Sequence, residues 1–176
     1  VAGGLGFIGA HLVRRLLAEP DVSVVVYDNG SSGRSWPLPE MGESERLQVV
    51  EGDLKDVPRL TRALPAATET VVQLASNPDI ARAVREPNLD FWEGTFLTQN
   101  LLDAMRLKGV HRIIYASGSG VYGETGGRPV PQNHAPLRPI STYGASKLAC
   151  EALICAYCHL FGFDGLALPF ANVVGP

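Results

Sequence analysis

Tyr143 and Lys147 stand four residues apart in a segment that opens on Ser141-Thr142, so both side chains fall on one face of a helix capped at its start. A phenol with a pKa of about 10 is a poor base at neutral pH, but an ammonium beside it favours the phenolate. The pair suits proton transfer at a hydroxyl, with a surface pair touching through the lysine stem as the plainer alternative. Gly3, Gly6 and Gly9 follow G-x-x-G-x-x-G spacing. Missing side chains let a backbone turn tightly, approach a pyrophosphate and pack a helix on a strand, with the helix N–H groups facing the phosphates. The chain holds 19 glycines, so the spacing alone also fits an ordinary turn.

Asp28 supplies the context. It closes the next β-branched run, 19 residues beyond Gly9, where a carboxylate can accept from an adenosine ribose. An acid there repels a 2′-phosphate, so NAD is expected over NADP, with Arg34 the only nearby residue arguing otherwise. Asp53, after the run Leu47 to Val50, is placed either to accept from the adenine amino group or to cap the following helix. Leu74-Ala75-Ser76 closes another run and is expected at the edge of the same cleft.

These residues need a scaffold that gathers strand ends. The apolar positions Ile8, Leu12, Val13, Leu16 and Leu17 predict a helix after the glycines, and Val22 to Tyr27 a buried strand. The alternation continues with a strand over Leu47 to Val50, a short helix after Asp56 and a strand over Thr70 to Leu74. A long helical stretch to about Lys108, a strand over Val110 to Ala116, a helix from Thr142 to Leu160 and a strand over Leu166 to Phe170 complete it. Residues Gly123 to Pro139, polar and proline-rich, interrupt the pattern. Strands alternating with helices predict one α/β domain over residues 1–176, a doubly wound Rossmann-type parallel sheet with helices on both faces. Only Val1 and Ala2 precede Gly3, so the first strand is expected to be truncated and the chain to be an internal window of a longer gene product.

Composition narrows the function. With 176 residues, 45% hydrophobic and a formal charge of -3, the chain is expected to form a soluble domain with one core. The 15 Lys and Arg are scattered, with only Arg14 and Arg15 adjacent, which argues against a nucleic-acid partner. No apolar run reaches the roughly 18 residues of a membrane span, and no signal segment opens the chain, so a cytoplasmic location is expected. Cys155-Ala156-Tyr157-Cys158-His159 has c-type haem spacing, but on a helix of a chain without an export signal the three cysteines, Cys150 included, read as small buried apolar residues. Zinc lacks a fourth ligand at suitable spacing, so no metal site is expected.

Taken in order, the motifs resemble the extended short-chain dehydrogenase/reductase family, in the branch of nucleotide-sugar epimerases and dehydratases. Gly3 to Gly9, with Phe7 and Ile8, resembles its glycine loop; Asp28, Asn29, Ser32 and Gly33 its ribose segment; Asp53 and Leu54 its adenine contact. Thr98, Asn100, Leu101 and Leu102 resemble a helix signature, and Tyr115-Ala116-Ser117 with Val121-Tyr122-Gly123 the catalytic-serine strand. Tyr143-Gly144-Ala145-Ser146-Lys147 resembles the catalytic helix, and Phe170 with Asn172 to Pro176 the cofactor-side strand end. Asn77-Pro78-Asp79 and Pro139 to Tyr143 look most like UDP-glucose 4-epimerases of the archaeal type.

The resemblance implies NAD as cofactor, a UDP-sugar substrate, and C4 epimerisation by transient hydride transfer. Tyr143 takes the proton of the sugar 4-hydroxyl, and Lys147 lowers the phenol pKa and holds the ribose. It also implies a substrate domain after residue 176 and a homodimer through the helices near Asn100 and Leu153. Departures follow from the same comparison. Gly118 replaces the usual catalytic Ser or Thr, leaving Ser117 and Ser119 as neighbours; Gln73 replaces a histidine, Gly94 an asparagine, Ala2 a threonine and Pro169 an arginine. Gly118-Ser119-Gly120 lacks the acid pair of 4,6-dehydratases, which disfavours that reaction. A nucleotide-sugar reductase or decarboxylase, a non-catalytic NAD-binding module and an inactive fragment are the alternatives.

Overall fold

The computed structural model describes residues 1–31, 44–77 and 79–175, so Ser32, Gly33, Arg34 and Pro78 lie outside the described residues. The β-branched runs form β1 (Val24–Asp28), β2 (Leu47–Glu51), β3 (Val71–Gln73), β4 (Arg112–Gly118) and β5 (Asp164–Phe170). β1 pairs with β2, and β4 lies between β3 and β5, all in parallel. Residues 1–3 join these two groups. Val1 C=O accepts from Tyr27 N–H (2.9 Å) on one side, and on the other Ala2 N–H donates to Val72 C=O (2.9 Å) while Ala2 C=O accepts from Leu74 N–H (2.9 Å). The order is therefore β2, β1, residues 1–3, β3, β4, β5, the doubly wound arrangement expected.

Side-chain alternation along β1 assigns the helices to faces. Val24 and Val26 pack with Val13 and Leu17 of α1 (Phe7–Leu17). Tyr27 belongs to a larger cluster with Leu60 of α2 (Val57–Ala63), Leu101, Leu102 and Met105 of α4 (Phe96–Lys108), Ile113 and Tyr115 of β4, and Ile154 of α5 (Thr142–Phe161). Two side-chain caps form, of which the one at Ser141 was expected. Asp56 accepts from Arg59 N–H at the start of α2, and Ser141 accepts from Gly144 N–H (3.0 Å) at the start of α5. The first excludes the capping role considered for Asp53.

The long helix expected up to Lys108 is broken. α3 (Ile80–Ala83) is a single turn, and a π-turn at Phe91–Thr95 leads into α4. Pro87, which lacks an N–H, stops α3 from continuing. The cysteines need a second correction: Cys150 is buried, but Cys155 is exposed on the outer face of α5 and Cys158 is half-buried. No helix among the described residues is long and apolar enough to cross a membrane.

Candidate functional site

The carboxyl ends of the strands border an open cleft of about 880 Å³. Every site residue expected from sequence that lies within the described residues lines it: the glycine loop with Phe7 and Ile8, Asp28 and Asn29, Asp53 and Leu54, Leu74 to Ser76, Ser117 and Ser119, Tyr143 and Lys147, and Phe170, Asn172 and Val173.

The three glycines differ in what they do. Gly3 has φ +77°, and a Cβ on it would press against Ala75 N at 2.6 Å; a Cβ on Gly9 would collide with the loop backbone at Gly3 and Gly4. Both are required by the fold. A Cβ on Gly6 would meet only Gly3 C=O, at an ordinary 3.5 Å. The fold therefore tolerates a side chain at Gly6, and the open space there faces the cleft at the N-terminus of α1, where no side chain caps the helix. That is the place where a phosphate could approach the N-terminal N–H groups of α1.

Asp28 is buried, and both its oxygens already accept: Oδ2 from Leu5 N–H (2.9 Å) and Oδ1 from Gly30 N–H (2.8 Å). It locks the glycine loop to the end of β1 and keeps lone pairs for further donors. Asn29 donates to Asp53 Oδ2 (3.1 Å), which ties the segments following β1 and β2 together at the cleft. A dinucleotide such as NAD fits this set: an uncrowded helix N-terminus, a fixed carboxylate and an apolar Leu54 wall.

At the other end, Lys147 is 5% exposed and its Nζ donates to Ala116 C=O (2.8 Å) while lying 5.4 Å from the Tyr143 ring centroid. Burial pulls its pKa down to about 8. Tyr143 goes the opposite way from the sequence expectation: its pKa is raised, by burial first and by the Asp90 carboxylate second, with a hydrogen bond from Ser76 opposing them. Lys147 is already engaged by a backbone carbonyl, and the acid at Asp90 had not been foreseen.

The departures acquire physical readings. A Cβ on Gly118 would lie 3.7 Å from the Tyr143 hydroxyl oxygen, so a hydroxyl at that position would meet the phenol. Ser117 is 3% exposed and its hydroxyl donates to Glu151, while Ser119 is exposed at the start of a 3₁₀ turn. Ser76, expected only at the cleft edge, lines the cleft with Tyr143, and its hydroxyl offsets part of the upward shift of the phenol. Gln73 is fully buried and clasps the next turn, donating to Ala75 C=O (3.2 Å) and accepting from Ala75 N–H (3.3 Å). At Gly94 a Cβ would collide with the Ser146 hydroxyl, which bonds Asp90 C=O (2.7 Å) and Thr95.

The sequence profile of the NAD-dependent epimerase/dehydratase family matches residues 1–176. The chain belongs to that family. Within the epimerase/dehydratase family, it is 34% identical over 177 residues to a UDP-glucose 4-epimerase of Mycolicibacterium smegmatis, an alignment covering 100% of this chain and 56% of that one. Two solved members share its fold. A UDP-glucose 4-epimerase from Brucella ovis in complex with NAD superposes with TM-score 0.84 at 31% identity, covering 97% of this chain and 50% of that one. A dTDP-glucose 4,6-dehydratase from Streptomyces venezuelae with NAD bound gives TM-score 0.86 at 31% identity, covering 94% and 53%. The chain thus spans about half the length of the curated relatives it matches.

Sequence reasoning missed Asp90, Thr142 and Glu151. A single acid between Leu89 and Phe91 has no spacing partner to mark it, and its contacts lie 13 and 52 residues away along the chain.

Proposed function

We propose that residues 1–176 form the NAD-binding part of a nucleotide-sugar 4-epimerase that interconverts UDP-glucose and UDP-galactose. The observation that carries the reading is the placement of Tyr143, Lys147 and Ser76 in the same cleft as the uncrowded Gly6 and the fixed Asp28. Bound NAD supplies a reversible hydride acceptor for the sugar C4 position. The glycine loop and α1 hold the pyrophosphate, Asp28 accepts from the ribose hydroxyls, Asp53 from the adenine amino group, and Phe170, Asn172 and Val173 border the nicotinamide end. Tyr143 accepts the proton of the sugar 4-hydroxyl, Ser76 donates to the same oxygen, and Lys147 holds the ribose beside them. The residues that grip uridine and sugar are placed in a substrate domain outside residues 1–176.

The match to a 4,6-dehydratase names the competing activity. Gly118-Ser119-Gly120 offers no acid and base for water elimination, which favours epimerisation. Denaturing the purified full-length protein, substrate domain included, and identifying any released nucleotide, then following UDP-galactose to product, tests the reading. Stoichiometric NAD with UDP-glucose as product is expected; a 4-keto-6-deoxy product, or NAD binding without turnover, overturns the epimerase assignment. We further propose a homodimer through the outer faces of α4 and α5, where Leu107, Leu160 and Phe161 are exposed. Leu160→Glu should then convert the sedimenting species to a monomer.

A further inference from the structure

Asp90 is 2% exposed, and no basic side chain among the described residues pairs with its carboxylate. Oδ1 accepts from Asn77 Nδ2 (2.8 Å), the residue after Ser76, and Oδ2 accepts from the Thr142 hydroxyl (2.7 Å), the residue before Tyr143. Its backbone C=O accepts from the Ser146 hydroxyl (2.7 Å), one turn further along α5 and next to Lys147. Asn77 is itself held from both sides, donating to Asp79 C=O (2.9 Å) and accepting from Asp79 N–H (2.9 Å). A buried carboxylate costs stability unless its oxygens are bonded, and here both bonds join different segments of the site.

We propose that Asp90 is the positioning residue of this site: it ties the turn carrying Ser76 to the turn carrying Tyr143 and so fixes the two hydroxyls relative to each other. The role rests on the epimerase reading for its purpose, but its geometry does not. The alternative of a purely structural acid predicts lost stability and, from its charge alone, a lower Tyr143 midpoint on Asp90→Asn, but neither a shift in Thr142→Val nor a change in kcat. A positioning acid is also felt at Tyr143, because its negative charge disfavours the phenolate. The other titratable groups facing Tyr143 are Lys147, over its ring, and Tyr115 from β4.

The test is the Tyr143 titration itself, read as phenolate absorbance of the NAD-loaded protein minus that of its Tyr143→Phe counterpart. Asp90→Asn should move the midpoint down. Thr142→Val, which cuts the tether from the α5 side, should move it the same way, with the double variant no different from Asp90→Asn alone, while Thr142→Ser keeps the parental midpoint. In UDP-galactose turnover, Asp90→Asn and Thr142→Val should lower kcat roughly tenfold to a hundredfold with KM within about twofold, the signature of misplaced groups. A folded Asp90→Asn protein whose Tyr143 midpoint stays or rises overturns the proposal. If that variant does not fold, a parental midpoint in folded Thr142→Val overturns it equally. Should the parent bind NAD yet never turn over a UDP-sugar, the epimerase reading fails while the midpoints still decide the role of Asp90.

Discussion

The cofactor end and the chemical end of the cleft are built by different rules. At the cofactor end, Gly3, Gly6, Gly9 and Asp28 come from two neighbouring segments, and a long-range side-chain bond from Leu5 N–H to Asp28 shapes the loop. At the chemical end, Ser76, Asp90, Tyr143 and Lys147 come from three separate stretches and meet through buried contacts. The first end is specified by local backbone demands, the second by a network in which each side chain fixes another. Damage at the first should show as lost binding, and at the second as lost rate.

The largest expected effect is at the chemical end. Tyr143→Phe should lower UDP-galactose turnover by about 10²-fold to 10⁴-fold while NAD is retained, checked by product analysis beside nucleotide release. Next, Gly6→Val should weaken NAD binding roughly tenfold to a hundredfold, as about 1–3 kcal/mol of crowding requires, with an unchanged melting temperature. Gly3→Val should instead lower the melting temperature, because both its φ of +77° and the approach of Ala75 forbid a side chain. Equal behaviour of the two variants in calorimetry would erase the contrast drawn between them.

A subtler effect concerns pH. With Lys147 at about 8, its ammonium is lost as pH rises through that value, so kcat should show an alkaline limb there that Lys147→Arg removes. The same shift acts on stability. The unfolded lysine keeps its proton up to 10.5 and the folded one only to about 8, so the unfolded state holds more protons between them and this group's contribution rises with pH across that window. Denaturant midpoints of the parent and Lys147→Met across the window measure it. The smallest effect is at Gly118, where an added Cβ meets only contacts of 3.6 to 4.0 Å. Gly118→Ser should leave stability within about 0.5 kcal/mol and raise turnover a few-fold, since a second hydroxyl then reaches the phenol.

The same division explains what could be read from the residues in advance. Strand and helix identities followed from periodicity, and the α5 cap from Ser141, because those signals are local; the α2 cap fell on Asp56 rather than on Asp53. The break before α4 was hidden, since helical periodicity continues past Pro87 and a π-turn has no composition of its own. Tyr143 and Lys147 were legible as a pair; the direction of the Tyr143 shift was not, because it depends on Asp90 reaching across the fold. Asp28 was legible as a carboxylate at the end of β1 but not as the lock of the glycine loop. Its second job appears only when Leu5 N–H is seen to point at it.

The three cysteines of α5 form a graded set of chemical clocks. Cys155 lies in solvent, Cys158 is half-buried against β5, where a Cβ on Gly165 would come within 2.8 Å of its sulfur, and Cys150 is fully buried beside Thr98. A thiol reagent should therefore modify Cys155 at once, Cys158 only when α5 lifts from β5, and Cys150 only when the helix leaves the core, so that one helix reports its own undocking in three separately timed steps.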